Sequence, residues 1–179
     1  MKTNSKTIRW LGAMALALGP LMLPGQSAFA ADADKSLEIG DAAQGKPLTM
    51  KFKTVDGKEV DLAKLQGKVV LVDFWATWCG PCRAELPKVK AAYEKLHPKG
   101  FEIVGISFDK SKDALQSYVS KESMAWPQYF DGLGWGNKIG QKYRIEAIPT
   151  MWLVDKKGNL RDLEARDNLA GRVEKLLAE

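Results

Sequence analysis

Val69-Val70-Leu71-Val72-Asp73-Phe74-Trp75-Ala76-Thr77-Trp78-Cys79-Gly80-Pro81-Cys82 is the stretch that decides the architecture. From Lys68 to Ala76 it is a short, nearly continuous apolar run rich in β-branched and aromatic side chains. That pattern predicts a strand buried on both faces. The spacing beyond it predicts a helix from Pro81 to His97, bent at Pro87, where the ring removes a backbone donor. Cys79 and Cys82 are the chain's only cysteines. A C-x-x-C pair at a strand-to-helix junction is a thiol–disulfide redox arrangement. Cys79 falls at the free amides of the helix N-terminus, where the dipole favours a thiolate. Such a sulfur both attacks and leaves well at moderate pH. Cys82, three residues on, shares its helix face and lies within disulfide reach. It is expected to be the more buried, resolving thiol. Pro81 in the first turn costs no helix hydrogen bond.

Working outward, Leu48–Lys53 and Glu59–Leu62 flank Val55-Asp56-Gly57-Lys58, a hairpin signal with Asp-Gly as its turn. Leu62–Gln66 reads as a helical turn closed by Gly67. Past the central helix, Phe101–Ser107 reads as a strand, Lys112–Lys121 as a helix, Gln128–Phe130 as a short extended piece and Trp135–Tyr143 as a short helix. Thr150–Asp155, the turn Lys156–Asn159 and a short return strand make a second hairpin. Leu169, Val173, Leu176 and Leu177 at helical spacing place a terminal helix over Asn168–Ala178.

The run from Val72 to Cys82 resembles the V-D-F-W-A-x-W-C-G-P-C of the thioredoxin superfamily, and Phe74 through Pro87 resembles the TlpA/ResA-like subgroup. The resemblance covers about residues 48–178. It implies an α/β thioredoxin fold, a central mixed sheet flanked by helices, with an extra N-terminal β-hairpin. The domain is expected over residues 47–179. Reduction of protein disulfides outside the cytoplasm is implied, cytochrome c maturation among its uses. The implied partners are a disulfide-containing client protein and a membrane thiol electron donor. No cofactor beyond the Cys79–Cys82 pair is implied, and the expected state is a monomer. Gly80-Pro81 resembles the dipeptide of thioredoxin, toward the reducing end of the potential scale.

Asp73 is the odd residue of its strand. Between Val72 and Phe74 its carboxyl should be desolvated, with a raised pKa, and able to accept the proton of Cys82. The alternative is a strand-end residue that sees water. Glu85 resembles the acid that the subgroup carries three residues after the motif. A carboxylate in the first turns of a helix is favourable in any case, so either role stands. Ile148-Pro149-Thr150 resembles the superfamily's cis-proline loop. Without that resemblance a trans proline opening an edge strand would be the ordinary reading. The Ile148 backbone would pair with an extended client. Trp78, Gly80 and Pro81 complete the expected client-facing surface, Trp78 because its neighbour must be reachable. Trp135, between two glycines, is a further candidate for a groove, although aromatic residues are mostly core.

Lys2, Lys6 and Arg9, then the apolar Trp10–Leu23, then Ala28-Phe29-Ala30, have the layout of a secretory signal peptide over residues 1–30. The expectation is export to the periplasm with cleavage near Ala30. An uncleaved membrane anchor is the alternative, for which the apolar run is short. Residues 31–46 are small and polar and read as a flexible lead-in. The first 30 residues hold three cations and no acid, so the net charge of the remaining 149 falls from +5 to +2. That is no basis for nucleic-acid binding. In an oxidising compartment a structural disulfide normally closes a longer loop, which favours a catalytic pair. Zinc lacks ligands, since His97 is the only histidine. A thiol peroxidase of the peroxiredoxin type would need a threonine three residues before its cysteine, where this chain has Ala76. A non-enzymatic Cu(I) module needs only two soft ligands and is not excluded by ligand count.

Overall fold

The computed structural model describes residues 38–39 and 42–179. The expected signal segment and residues 31–37 of the lead-in lie outside the described residues. Glu38–Ile39 (β1) pairs antiparallel with Ala42–Ala43 (β2). The lead-in expected over 31–46 therefore ends earlier. Ala42 is buried, and the backbone around Gly45 and Lys46 bonds to Leu160 through Gly45 N–H to Leu160 O at 2.6 Å and Leu160 N–H to Lys46 O at 2.8 Å. Polar composition does not show this, because Gly45 and Lys46 find their partners on a strand far along the chain.

The first hairpin forms from Lys51–Lys53 (β3) and Glu59–Asp61 (β4), a two-stranded ladder of its own. The main sheet has five strands: Val69–Trp75 (β5), Phe101–Ser107 (β6), Gln128–Tyr129 (β7), Thr150–Val154 (β8) and Leu160–Asp162 (β9). Their order is β7-β6-β5-β8-β9, with β5–β6 and β6–β7 parallel and β5–β8 and β8–β9 antiparallel. This is the mixed sheet that the resemblance implies. Every residue of β5 is buried, as a central strand covered on both faces must be.

The helices are Gly80–Leu96 (α1), Lys112–Lys121 (α2), Lys138–Lys142 (α3) and Leu169–Ala178 (α4). The expected helix over 135–143 is split into a 3-10 turn at Gly134–Gly136 and the short α3, because Asn137 between them caps α3 by accepting from Gly140 N–H at 2.8 Å. Helix α1 runs on through the exposed Pro87. Alternation along β5 gives each face its covering. Val72 and Phe74 share a face with Trp152, which packs edge-on between Phe74 at 5.0 Å and Tyr143, the residue after α3, at 5.8 Å. Leu71, Asp73 and Trp75 look the other way. There Trp75 meets Tyr118 of α2 at 5.7 Å, and Arg83 of α1 lies over the same ring. Lys95 of α1 pairs with Glu174 of α4 at 2.7 Å.

Trp152 is 1% exposed and wedged between two rings, so the site cannot collapse when it is truncated. Trp152→Ala is expected to cost about 3–5 kcal/mol, read as a lower urea midpoint with an unchanged slope.

Candidate active site

Three segments meet at the C-terminal end of β5. The first is the junction from Ala76 to Cys79. Its backbone is held from β6's side by Asp109, whose carboxylate accepts from Thr77 N–H at 3.1 and 3.2 Å, from Thr77 Oγ1 at 2.6 Å and from Ser107 Oγ at 2.8 Å. The second is the start of α1. Cys79 is its N-cap in extended conformation, and its Sγ accepts from Cys82 N–H at 3.1 Å. A free helix-end amide thus points at the sulfur, which favours negative charge there. The third is the loop before β8, where the Ile148–Pro149 peptide is cis, as the resemblance implies. The Ile148 carbonyl oxygen lies 3.8 Å from Cys79 Sγ.

Cys79 and Cys82 form a disulfide with their Cα atoms 5.3 Å apart. Cys82 was expected to be the more buried, but the two cysteines are buried alike, Cys79 5% and Cys82 6% exposed. Cys79 Sγ is covered on one side by Cys82 and approached by the Ile148 carbonyl on the other. Access runs over Trp78, which is 54% exposed, and over Gly80 and Pro81, which are exposed in the first turn of α1. Trp135 is 46% exposed, 6.2 Å from the Trp78 ring and 5.1 Å from that of Phe108. With Leu133, also exposed, these rings make an apolar shelf beside the disulfide.

Asp73 occupies a rung of the sheet between Gly105 of β6 and Met151 of β8. It is 5% exposed, and its Oδ1 has no hydrogen-bond partner. Burial pushes its carboxyl up to about 7, because desolvation penalises the charge. Glu85 sits elsewhere. It is partly buried on α1 and forms an i,i+3 pair with Lys88 at 3.0 Å, which suits an ordinary helix-surface carboxylate. His97 lies at the far end of α1, roughly 22 Å along the axis from Cys82 at about 1.5 Å per residue, and bonds the Phe101 carbonyl at 3.0 Å. It cannot share a metal with the cysteines. Sequence reasoning missed Asp109, Ser107 and Gln128. Asp109 answers Thr77 and Gln128 answers Trp75, 32 and 53 positions away, and the only available signal was a polar residue inside or just beyond a strand.

A family model described as the AhpC/TSA family matches residues 39–163. Thiol-disulfide oxidoreductase ResA of Bacillus cereus is 32% identical over 152 residues, covering 83% of each chain. ResA of Oceanobacillus iheyensis is also 32% identical, over 74% of this chain and 67% of that one. The chain belongs to the AhpC/TSA family and is a TlpA/ResA-like thiol–disulfide oxidoreductase. Among solved structures, the thioredoxin domain of a thiol-disulfide oxidoreductase from Bacteroides vulgatus superposes with a TM-score of 0.67 at 30% identity, over 79% of this chain and 99% of that one. The TlpA/ResA-like fold and the redox pair thus agree with the residue-level reading. Among the described residues, no helix is long and apolar enough to cross a membrane.

A carboxyl whose folded pKa lies above its unfolded 3.8 holds its proton more tightly in the native state. Its protonated form is fully present below the unfolded value. Stability falls as pH rises from about 4 to about 7 and levels off above. Asp73→Asn is therefore expected to stabilise the protein above pH 7, by on the order of a few kcal/mol, and to change little near pH 4. Urea unfolding across that range measures it. Asp109→Ala strands the Thr77 amide and is expected to destabilise by about 3 kcal/mol, read by the same method.

Proposed function

We propose that the protein reduces disulfides of exported client proteins, with Cys79 as attacking and Cys82 as resolving thiol and Asp73 as proton acceptor. The observation that carries this reading is a helix N-cap sulfur beside an exposed apolar shelf, with a buried, unpaired carboxyl on the strand that leads into the helix. The Cys79 thiolate attacks one sulfur of the client disulfide. The client S–S bond breaks, a mixed disulfide forms and the other client sulfur leaves as a thiolate. The Cys82 thiol gives its proton to the Asp73 carboxylate, and the resulting thiolate attacks Cys79 Sγ. The Cys79–Cys82 bond forms as the second client sulfur departs. An electron pair has moved from the dithiol to the client, and an external dithiol must supply its replacement. A membrane thiol donor fits that need.

Trp78, Trp135, Gly80 and Pro81 form the surface on which the client lies, and the backbone at Ile148-Pro149 pairs with its extended segment. Glu85, held by Lys88, serves the helix surface rather than the proton step. Export through a signal peptide over residues 1–30, with action in the periplasm, fits a pair poised for exchange. Apocytochrome c before haem attachment is one client class of the right chemistry. Against peroxidase chemistry stands the junction itself. Residue 76 is alanine, and the Thr77 hydroxyl donates to Asp109. The Cu(I) reading has no comparable support among the contacts at the site.

Cys79→Ser is expected to abolish reduction of a disulfide substrate, and Cys82→Ser to accumulate the mixed disulfide, both read by thiol-trapping gels. The equilibrium potential of the pair in a defined thiol buffer is expected at the reducing end of the scale. A strongly oxidising value would make this a disulfide-forming protein. Loss of hydrogen peroxide faster than the uncatalysed rate would favour the peroxidase.

A further inference from the structure

Among the described residues, three large hydrophobic side chains are exposed: Trp78, Leu133 and Trp135. Scattered singly they would need no explanation. They are gathered, however, since the Trp78 and Trp135 rings lie 6.2 Å apart and Leu133 is two residues before Trp135. A contiguous apolar patch of this kind marks a surface that something covers. Leu133 and Trp135 belong to the connection between β7 and α3, and one carboxylate organises it. Asp131 Oδ1 accepts from Leu133 N–H at 3.0 Å. Its Oδ2 accepts from Lys138 N–H at 2.8 Å and from the Tyr129 hydroxyl at 3.0 Å. These bonds tie the two ends of the turn to each other and to β7. The Trp135 carbonyl accepts from Gln141 Nε2 at 2.7 Å. Asn137 Nδ2 donates to the Ser107 carbonyl at 2.8 Å, and Ser107 Oγ donates to the Asp109 carboxylate that holds Thr77, the neighbour of Trp78. Both tryptophans are therefore anchored to the same end of β6. Gly134 has a φ of 58°, and a Cβ there would meet Lys110 Cε at 2.8 Å, so glycine lets the turn close on the Lys110 stem.

We infer that the turn from Gly132 to Asn137 is a specificity element, with Asp131 as its positioning residue: it selects clients that carry a large apolar side chain within two residues of the reacting cysteine. The inference rests on the client surface proposed above, and it adds the kind of segment that surface takes. Trp78 directly precedes Cys79, so whatever is joined to a sulfur that reaches Cys79 passes close to the exposed rings. An extended chain advances about 3.3–3.6 Å per residue. Two residues of client therefore span roughly 7 Å, close to the 6.2 Å between the two tryptophan rings. The turn's backbone groups are bonded before any client arrives, so binding spends little on ordering it. Asp131 takes no part in the electron step. Without its carboxylate the Leu133 and Lys138 amides lose their partner, and the two side chains of the turn are no longer held in place.

The test compares two single-cysteine peptides, identical except that the residue after the cysteine is phenylalanine or serine. As symmetric disulfides they are offered to the reduced full chain, and as free thiols to the oxidised full chain. Loss of the peptide disulfide is followed in the first case and formation of the mixed disulfide in the second. The expected second-order rate is about tenfold higher for the phenylalanine peptide in both directions. In Leu133→Ser and in Asp131→Ala that ratio falls toward one. A merely structural role for Asp131 would slow both peptides alike and leave the ratio where it was. Leu133 is exposed, so its variant reports on the surface even where Asp131→Ala fails to fold. Equal rates for the two peptides with the unsubstituted protein overturn the inference, and so does a ratio that Leu133→Ser leaves unmoved. If the reduced protein leaves both disulfides intact while the oxidised protein prefers the phenylalanine thiol, the reductase reading fails and the specificity stands.

Discussion

Strand β5 is hydrogen-bonded on both sides, parallel to β6 and antiparallel to β8, and this double pairing is the constraint on which the site depends. Because its amides and carbonyls are committed, the strand cannot slip without turning its apolar side chains over. The fixed register settles three things together. It sets Asp73 level with Gly105. It pairs Phe74 with Thr150, so that Ile148 and Pro149, just before β8 begins, fall beyond the end of β5. It also releases the chain at Trp75, so that a few residues later Cys79 caps a helix on the same side of the sheet as Asp73. The buried acid and the disulfide come from one stretch of chain, and the cis-proline loop from another nearly 70 residues on. One ladder brings them together.

Among the described residues, the three buried aspartates differ sharply in how their charge is supported. Asp109 is 2% exposed and takes donors from Thr77 and Ser107. Burial would raise Asp155, but the backbone amide of Asn159, the Arg161 guanidinium, the Asn159 side chain and the Lys157 amide outweigh it and hold its carboxyl below the usual range. These two carboxylates organise turns, and their charge is answered on the spot. Asp73 has nothing comparable to offset its desolvation. A fold that needed only stability would carry an apolar residue there, as the neighbouring rungs do. Keeping the acid costs stability at neutral pH, which is the cost the proposed proton-accepting role of Asp73 would explain.

Much of this was readable from the residues. A two-face-buried strand, a C-x-x-C at its exit and an aspartate in an apolar run are local patterns, and each carries its physics within a few positions. The short β7 and the split before α3 were harder, because pairing with β6 and a cap from Asn137 decide them, not periodicity. Gln128 and Asp109 were illegible for the same reason. An isolated glutamine before Tyr129, or an aspartate after Phe108, looks like any loop residue until the register places it. The two cysteines are buried alike, since the loop at Ile148, which helix position alone cannot show, approaches Cys79 Sγ. Glu85 was left open by sequence, and its pairing with Lys88 now favours the plainer role.

The groups around the Cys79–Cys82 pair bear on its redox balance. A dithiol becomes a strong oxidant in its disulfide form when its thiolates are heavily stabilised, since that lowers the energy of the reduced state. Here Cys79 Sγ receives one helix amide, from Cys82, and the other close group is the Ile148 carbonyl, an acceptor that repels negative charge. Both cysteines are nearly enclosed, beside an acid whose own ionisation the interior already resists. Such surroundings stabilise thiolates modestly and leave the disulfide the relatively favoured state. Such a balance fits the proposed reductase reading, beside the N-cap sulfur, the apolar shelf and the buried Asp73 carboxyl.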